Sequence, residues 1–121
     1  MKIHKSAEDY LEMILRLQEE KGYVRSIDIA NGLSVSKPSV SVAMKHLRED
    51  NYIIMDKDNH ISLTDSGMEI AKRIYDRHKV LIRFLTQLGV SDEIAHEDAC
   101  KIEHDISTET YLAIKRHLEE K

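Results

Sequence analysis

A short segment near the C-terminal end of the chain combines residue types that bind transition metals. His96, Cys100, Glu103 and His104 lie at positions i, i+4, i+7 and i+8. Because each residue of an α-helix turns by about 100°, one helix would place these four side chains within an arc of roughly 100°. Imidazole, thiolate and carboxylate groups are together typical ligands of a divalent transition metal. The spacing therefore predicts a metal site on one helix face.

Each of these residues also has an ordinary structural explanation. A lone histidine is often a surface residue, a lone cysteine behaves as a small core hydrophobe, and glutamate beside histidine is common on helix surfaces. Three more candidate ligands favour the metal site over these explanations. Asp9 and Glu12 lie at i and i+3 in a predicted first helix, and His78 lies in a long fourth helix. We expect a site that combines residues from three packed helices.

The composition favours a small, mainly helical protein. The chain has 121 residues, of which 41% are hydrophobic and 33% charged, with one proline and four glycines. It contains no run of 18 apolar residues, and its first twelve residues lack the apolar core of a signal peptide, so we expect a cytoplasmic protein without a membrane partner. Its single cysteine cannot form an internal disulfide.

Local signals predict a helix, a helix–turn–helix, a hairpin and three further helices. The predicted helices cover about 6–20, 25–33, 36–50, 65–88, 91–107 and 108–120, and the two strands flank a turn at 56–59. This order is typical of a winged helix followed by helices. The predicted fold class is therefore mainly α, with a winged helix–turn–helix DNA-binding domain at 1–65. A helical metal-binding and dimerisation lobe is predicted at 66–121.

The predicted recognition helix would present small polar and basic residues to DNA. The net charge of −4 is unevenly distributed, since residues 89–121 carry −5 and residues 21–60 carry +1. The N-terminal end of a recognition helix reaches base edges, and flanking basic residues contact phosphates. The expected DNA-contacting residues are Arg25, Ser36, Lys37, Pro38, Ser39, Ser41, Lys45, Arg48 and Lys57.

Nearly the whole chain resembles the iron- and manganese-dependent repressors of the diphtheria-toxin-repressor and manganese-transport-regulator family. The resemblance rests on Glu8–Glu12, on Ile29-Ala30 followed by Val35–Val40, on Leu63-Thr64 with Gly67, on Arg77-His78, and on Glu97–His104. It implies a homodimeric repressor that binds a palindromic operator when loaded with Fe(II) or Mn(II), and so controls metal homeostasis.

The resemblance also implies a role for each candidate ligand. Asp9 and Glu12 match ligands of the manganese-type members, whereas His96 and Cys100 match ligands of the iron type. The ligands shared by both types correspond to His78, Glu103 and His104.

Two features depart from the iron-type pattern. Ile82 stands where the iron type has a second glutamate, which alters its ancillary site, and we expect no SH3-like C-terminal domain after Lys121. The soft sulfur of Cys100 favours Fe(II), whereas the carboxylates of Asp9 and Glu12 suit Mn(II). We expect Fe(II) to be favoured and Mn(II) to come next, with Co(II), Ni(II) or Zn(II) binding in vitro.

The expected mechanism is a metal-dependent change in the spacing of two recognition helices. A metal bound by both lobes would fix the angle between them, and in a two-fold dimer the recognition helices must match major grooves about 34 Å apart. The expected dimer interface is apolar and consists of Leu81, Phe84, Leu85, Leu88, Val90 and Ile94.

Two alternatives remain open from the residues alone. The chain could be a winged-helix regulator that is not controlled by metal, or a small metalloenzyme with an open metal position. An enzyme would need a substrate pocket and a spare base, and the sequence shows neither a nucleophile motif nor a glycine-rich phosphate loop. We therefore expect no catalytic residue and no organic cofactor.

Overall fold

The protein is mainly helical, which confirms the predicted fold class. The computed structural model describes residues 5–120 and divides into two compact units, 1–73 and 74–121. The elements are α1 (Lys5–Lys21), α2 (Ser26–Leu33), α3 (Lys37–Glu49), β1 (Ile53–Met55), β2 (Ile61–Leu63), α4 (Asp65–Gln87), α5 (Asp92–Ile102) and α6 (Thr108–Glu119). No helix within residues 5–120 is long and apolar enough to cross a membrane.

The first unit has a core to which three helices and a hairpin contribute. On α1 the buried apolar side chains recur every three or four residues, so one stripe of the helix faces inward. The buried apolar residues from α1 to β2 are Leu11, Ile14, Leu15, Leu17, Val24, Ile29, Ala30, Val40, Met44, Leu47, Ile53 and Ile61.

The predicted helix–turn–helix and hairpin are both present. Ser34 adopts a left-handed backbone (φ 56°) between α2 and α3, and the Ser36 hydroxyl caps α3 by accepting from the Ser39 amide at 3.3 Å. The strands β1 and β2 pair antiparallel, with Ile53 opposite Leu63. The hairpin is joined to the segment before α2, because the Ile61 amide donates to the Val24 carbonyl at 2.7 Å.

The start of α4 is fixed against the segment that precedes the hairpin. The Thr64 hydroxyl donates to the Asn51 carbonyl at 2.7 Å and accepts from the Gly67 amide at 3.1 Å, which makes Thr64 the N-cap. Gly67 lies so close to the Tyr52 carbonyl that a Cβ atom at this position would overlap it. A glycine is therefore required here by close backbone packing rather than by backbone conformation.

The second unit contains the rest of α4 together with α5 and α6. Ile74 and Leu81 of α4 are buried, and α5 buries only the small side chains of Ala95 and Ala99. Serine caps begin both short helices, since Ser91 accepts from the Ile94 amide and Ser107 from the Thr110 amide.

The predicted end of α5 near residue 107 is wrong. The helix ends at Ile102, and residues 103–107 form a turn before α6. Ser107 has an extended backbone (φ −72°, ψ 161°) because it caps α6, so the helix cannot run through it. Glu103 keeps a helical backbone (φ −56°, ψ −26°) and an amide bond to Ala99, whereas His104 lies within the turn.

We expect Gly67→Ala to destabilise the first unit by about 1–3 kcal/mol, because the added methyl group would overlap the Tyr52 carbonyl and force the backbone apart. Urea unfolding followed by circular dichroism measures this change. The matched control is Ser66→Ala, at the exposed neighbouring position of the same helix turn. Equal stability of the two variants would show that the close approach at Gly67 is not a constraint.

Candidate metal centre and nucleic-acid interface

One of the predicted ligands projects from the buried face of α4. His78 is 3% exposed. It lies four residues after the buried Ile74 and three residues before the buried Leu81. It therefore occupies a position in the stripe that a helix normally fills with apolar side chains. A buried polar side chain at such a position needs a polar partner.

The partners of His78 come from the C-terminal end of α5. Nδ1 of His78 lies 2.9 Å from Oε1 of Glu103 and 3.9 Å from Sγ of Cys100. The ligand atoms of these three residues all lie within 4.8 Å of one another. Nitrogen, sulfur and oxygen donors thus converge in a space of the size of one metal coordination sphere.

The carboxylate of Glu103 has unused ligand capacity. Glu103 is only 1% exposed, and its Oε2 atom is buried without a hydrogen-bond partner among the described residues. A buried carboxylate oxygen without a partner carries the full cost of its desolvation. The cluster therefore fits a bound cation, which would satisfy this oxygen.

Two further predicted ligands of the second unit, His96 and His104, are not members of this group of three. His96 is exposed, its Nδ1 donates to the Asp92 carbonyl at 2.8 Å, and its ring lies edge-on to that of His78 at a centroid distance of 5.9 Å. Since Nδ1 carries the proton, the lone pair of His96 is on Nε2. His104 is half-buried in the turn after α5. The expectation that one helix face would carry all four residues is thus wrong for His104, because α5 ends before it.

The first unit contains the remaining two candidates, both on α1. Glu12 is 5% exposed and Asp9 is half-buried. Their part in a metal site stays a prediction.

Sequence reasoning assigned no role to Arg77, although this residue is 8% exposed. It lies three residues after Ile74 and four residues before Leu81, so it belongs to the same stripe of α4 as these apolar residues. The feature of the sequence that could have drawn attention to Arg77 is a charged residue at a core position of an otherwise apolar stripe.

All nine predicted DNA-contacting residues lie on the surface of the first unit. Arg25, Lys45 and Arg48 line one open cleft of about 440 Å³, which α2, α3 and the hairpin enclose. Arg48 also approaches the hairpin, with its Nη1 atom 3.9 Å from Sδ of Met55.

The two serines at the start of α3 are less independent than predicted. The Ser36 hydroxyl accepts from the Ser39 amide and donates to the Ser39 hydroxyl at 2.8 Å. Ser36 therefore serves as the helix cap, whereas the Ser39 hydroxyl keeps its proton to donate elsewhere.

The predicted dimer residues differ in exposure. Leu81 is 2% exposed within the single chain and so belongs to its core, whereas Leu88 and Ile94 are 66% and 45% exposed. Phe84, Leu85 and Val90 are half-buried. Contact of the exposed members with a second chain stays a prediction.

Comparison with known proteins identifies the family. Residues 2–61 match the iron dependent repressor N-terminal DNA binding domain, and residues 64–120 match the iron dependent repressor metal binding and dimerisation domain. The chain belongs to the iron-dependent repressor family. Because this family consists of transcriptional repressors, the metalloenzyme alternative is excluded.

Individual relatives agree with this assignment. The chain is 43% identical over 102 residues to the HTH-type transcriptional regulator MntR of Bacillus pumilus, a match that covers 84% of this chain and 71% of that protein. Against the structure of T. acidophilum IdeR it has a TM-score of 0.82 at 28% identity, covering 98% of this chain and 55% of that one. Against the structure of the manganese regulator SloR it has a TM-score of 0.83 at 30% identity, covering 100% of this chain and 56% of that one. The chain thus spans about half the length of these two structures.

We expect Glu103→Gln to weaken metal binding at least tenfold, since groups that merely orient a ligand already cost about 10–100-fold when removed. The amide keeps the size and can still accept from His78, so the apo fold should be retained. Calorimetric titration with Mn(II) measures the affinity. The control is Glu97→Gln, which removes an exposed carboxylate from α5, the helix that ends just before Glu103. Unchanged affinity in the Glu103 variant would remove this residue from the site.

On the DNA face we expect Arg48→Ala to weaken binding to all duplexes about equally and to lower the salt slope by about one unit, as for a phosphate contact. Ser39→Ala should instead change the preference between a duplex selected from a random library and an unselected one. Fluorescence anisotropy at several salt concentrations measures both. Lys72→Ala, at an exposed position of α4, is the control for loss of a surface charge. A sequence-selective effect of Arg48→Ala together with a uniform effect of Ser39→Ala would contradict the assigned roles.

Proposed function

We propose that this protein is a transcriptional repressor that binds a palindromic operator as a homodimer when loaded with a divalent metal ion, and so controls metal homeostasis. The observation that carries the proposal is the convergence of His78, Cys100 and Glu103, of which His78 and Glu103 are buried and Cys100 is exposed. The Oε2 atom of Glu103 has no hydrogen-bond partner within the part of the chain that the structure describes. This cluster lies in the part of the chain that matches a metal-binding and dimerisation domain.

His78, Cys100 and Glu103 are the residues that would hold the metal. Bound there, the ion would supply a positive charge in a buried site that otherwise holds the Glu103 carboxylate. The Cys100 thiol must lose its proton to bind the ion as a thiolate, whereas a neutral His78 with its proton on Nδ1 only has to move that proton to Nε2 to bind through Nδ1. Metal affinity should therefore rise with pH.

Further ligands are proposed on the strength of the family resemblance. Asp9 and Glu12 correspond to ligands of the manganese-type members, and His96 and His104 complete the set in the second unit. The hydrogen bond from Nδ1 of His96 to a carbonyl is the kind of contact that orients metal-binding histidines, which supports this residue in particular.

We propose Fe(II) as the preferred ion, because the Cys100 thiolate is a softer ligand than the oxygen donors that suit Mn(II). Mn(II) is the second candidate. It is favoured by the names of the relatives, which include the manganese regulator SloR and a manganese-dependent transcriptional repressor in complex with manganese. The latter has a TM-score of 0.84 at 30% identity, covering 93% of this chain and 52% of that one.

Operator binding would use the exposed N-terminal end of α3 and the basic cleft beside it. Two copies of this surface in a two-fold dimer would read a palindromic site, since the symmetry of the operator mirrors that of the protein. The exposed Leu88 and Ile94 are the apolar side chains that we propose for the dimer contact.

Titration of DNA binding with metal tests the proposal. We expect Mn(II), Fe(II) under anaerobic conditions, and Co(II) each to raise the affinity for a selected duplex, and a chelator to reverse the effect. Because linkage is reciprocal, the duplex should tighten metal binding by the same factor. DNA binding that is equally tight with chelator and with metal would instead support a winged-helix regulator that is not controlled by metal.

The identity of the metal is tested by Cys100→Glu, which replaces the soft sulfur with a hard oxygen donor. We expect the ranking of metals in the DNA-binding titration to move towards Mn(II) relative to Fe(II) and Co(II). The control is Asp98→Glu, an acidic side chain lengthened on the same helix. A ranking that does not change would show that Cys100 does not set the preference.

A further inference from the structure

Arg77 is a buried cation directly beside the metal cluster in sequence. It is 8% exposed, and its guanidinium contacts a carbonyl, a hydroxyl and a ring face rather than a carboxylate. Burying a charge without an opposite charge is costly. The two Nη atoms have acceptors, whereas Nε is buried without one among the described residues, so these contacts offset only part of the cost. A charge retained at this cost indicates that the arginine holds a specific part of the structure in place.

The contacts of Arg77 all lie in the segment that follows Glu103. Nη1 donates to the Ile106 carbonyl at 2.8 Å, and Nη2 donates to the Thr108 hydroxyl at 3.2 Å. The guanidinium carbon lies 5.3 Å from the centre of the Tyr111 ring, a cation–π distance. One side chain thus binds the end of the 103–107 turn and the first turn of α6.

Two consecutive residues of α4 therefore hold this segment at two points. His78 binds the Glu103 carboxylate, and Arg77 binds the Ile106 carbonyl three residues later. Between these points the turn has its own amide bonds, from Asp105 and Ile106 to the Ile102 carbonyl. A segment fixed at both ends loses little conformational entropy when a ligand binds.

We propose that Arg77 is a positioning residue of the metal centre, which seats the 103–107 turn on α4 so that Glu103 is held in place before metal arrives. The inference rests on the proposed function, and it assigns a role to a residue that touches none of the ligand atoms of the cluster. Arginine suits this role because its planar fork can donate to two acceptors at once, whereas the lysine ammonium cannot reproduce this geometry.

The test uses the intact chain and four variants, of which the fourth is Arg77→Lys. Arg77→Met removes the guanidinium but keeps a long apolar side chain, and Thr108→Val removes a single hydrogen bond. Arg83→Met is the matched control, because Arg83 lies on the same helix and also donates to a carbonyl, that of Leu118, but does not contact the turn. Calorimetry with Mn(II) and Co(II) gives metal affinities, and amide hydrogen exchange of the apo protein reports on the turn directly.

We expect Arg77→Met to weaken metal binding about 10–100-fold, as for other residues that orient a ligand, and Thr108→Val to have a smaller effect of the same sign. The amides of residues 103–107 should exchange faster in the apo Arg77 variant, while those of the first turns of α5 should not change. Arg77→Lys should recover part of the affinity, since it keeps one donor. Arg83→Met should bind metal within about twofold of the unaltered chain.

Native affinity and native exchange in Arg77→Met would overturn the inference, as would an equal loss of affinity in Arg83→Met. If Arg77→Met does not fold, Thr108→Val decides: weaker metal binding with faster exchange of the turn supports the inference, and unaltered values overturn it. Failure of the unaltered chain to bind either metal would contradict the proposed function instead. In that case the exchange measurement still tests whether Arg77 seats the turn.

Discussion

The hydrogen bond between His78 and Glu103 is the interaction on which the second unit depends. It joins the middle of α4 to the C-terminal end of α5 at 2.9 Å, between side chains that are 3% and 1% exposed. Polar groups at such depth need polar partners, and the second carboxylate oxygen of Glu103 has none among the described residues. The unit thus keeps a polar centre where leucine or isoleucine would give a more stable core. A core that is less stable than an apolar one is typical of a binding site, where a bound ligand completes the partners of the buried polar groups.

In the first unit the buried carboxylates are confined to α1, where Glu8 and Glu12 are 9% and 5% exposed. The buried residues of the helix–turn–helix and hairpin are apolar, and polar side chains such as Ser36 and Thr64 form caps. At the start of α2, Lys21 and the Arg25 amide bond Asp28 and lower the pKa of its carboxyl. These contacts contribute stability above the ordinary pKa of aspartate and lose it as the pH falls through the lowered value. The exposed basic side chains that are proposed to contact DNA lie on this unit.

Much of the fold could be predicted from local signals. The Ser36 cap with Pro38 after it, the β-prone segments on either side of residues 56–59, and the stop of α4 at Gly89 with φ 104° each depend on neighbouring residues alone. The metal-binding residue types and the family resemblance were also visible in the sequence. The end of α5 was predicted wrongly because Ser107 is an ordinary residue inside a helix and a strong cap before one, and only the packing of α6 selects between these roles.

The sequence by itself determined the chemical types of the proposed ligands, their order along the chain and the winged helix that precedes them. The tertiary structure decided which of these residues meet. The ligand atoms of His78, Cys100 and Glu103 lie within 4.8 Å of one another, while His104 falls in the turn after α5. The buried position of Arg77 was likewise a result of packing, since an arginine in an amphipathic helix normally faces water. Helical periodicity fixes the direction of a side chain on its own helix, but only contacts between helices fix what it faces.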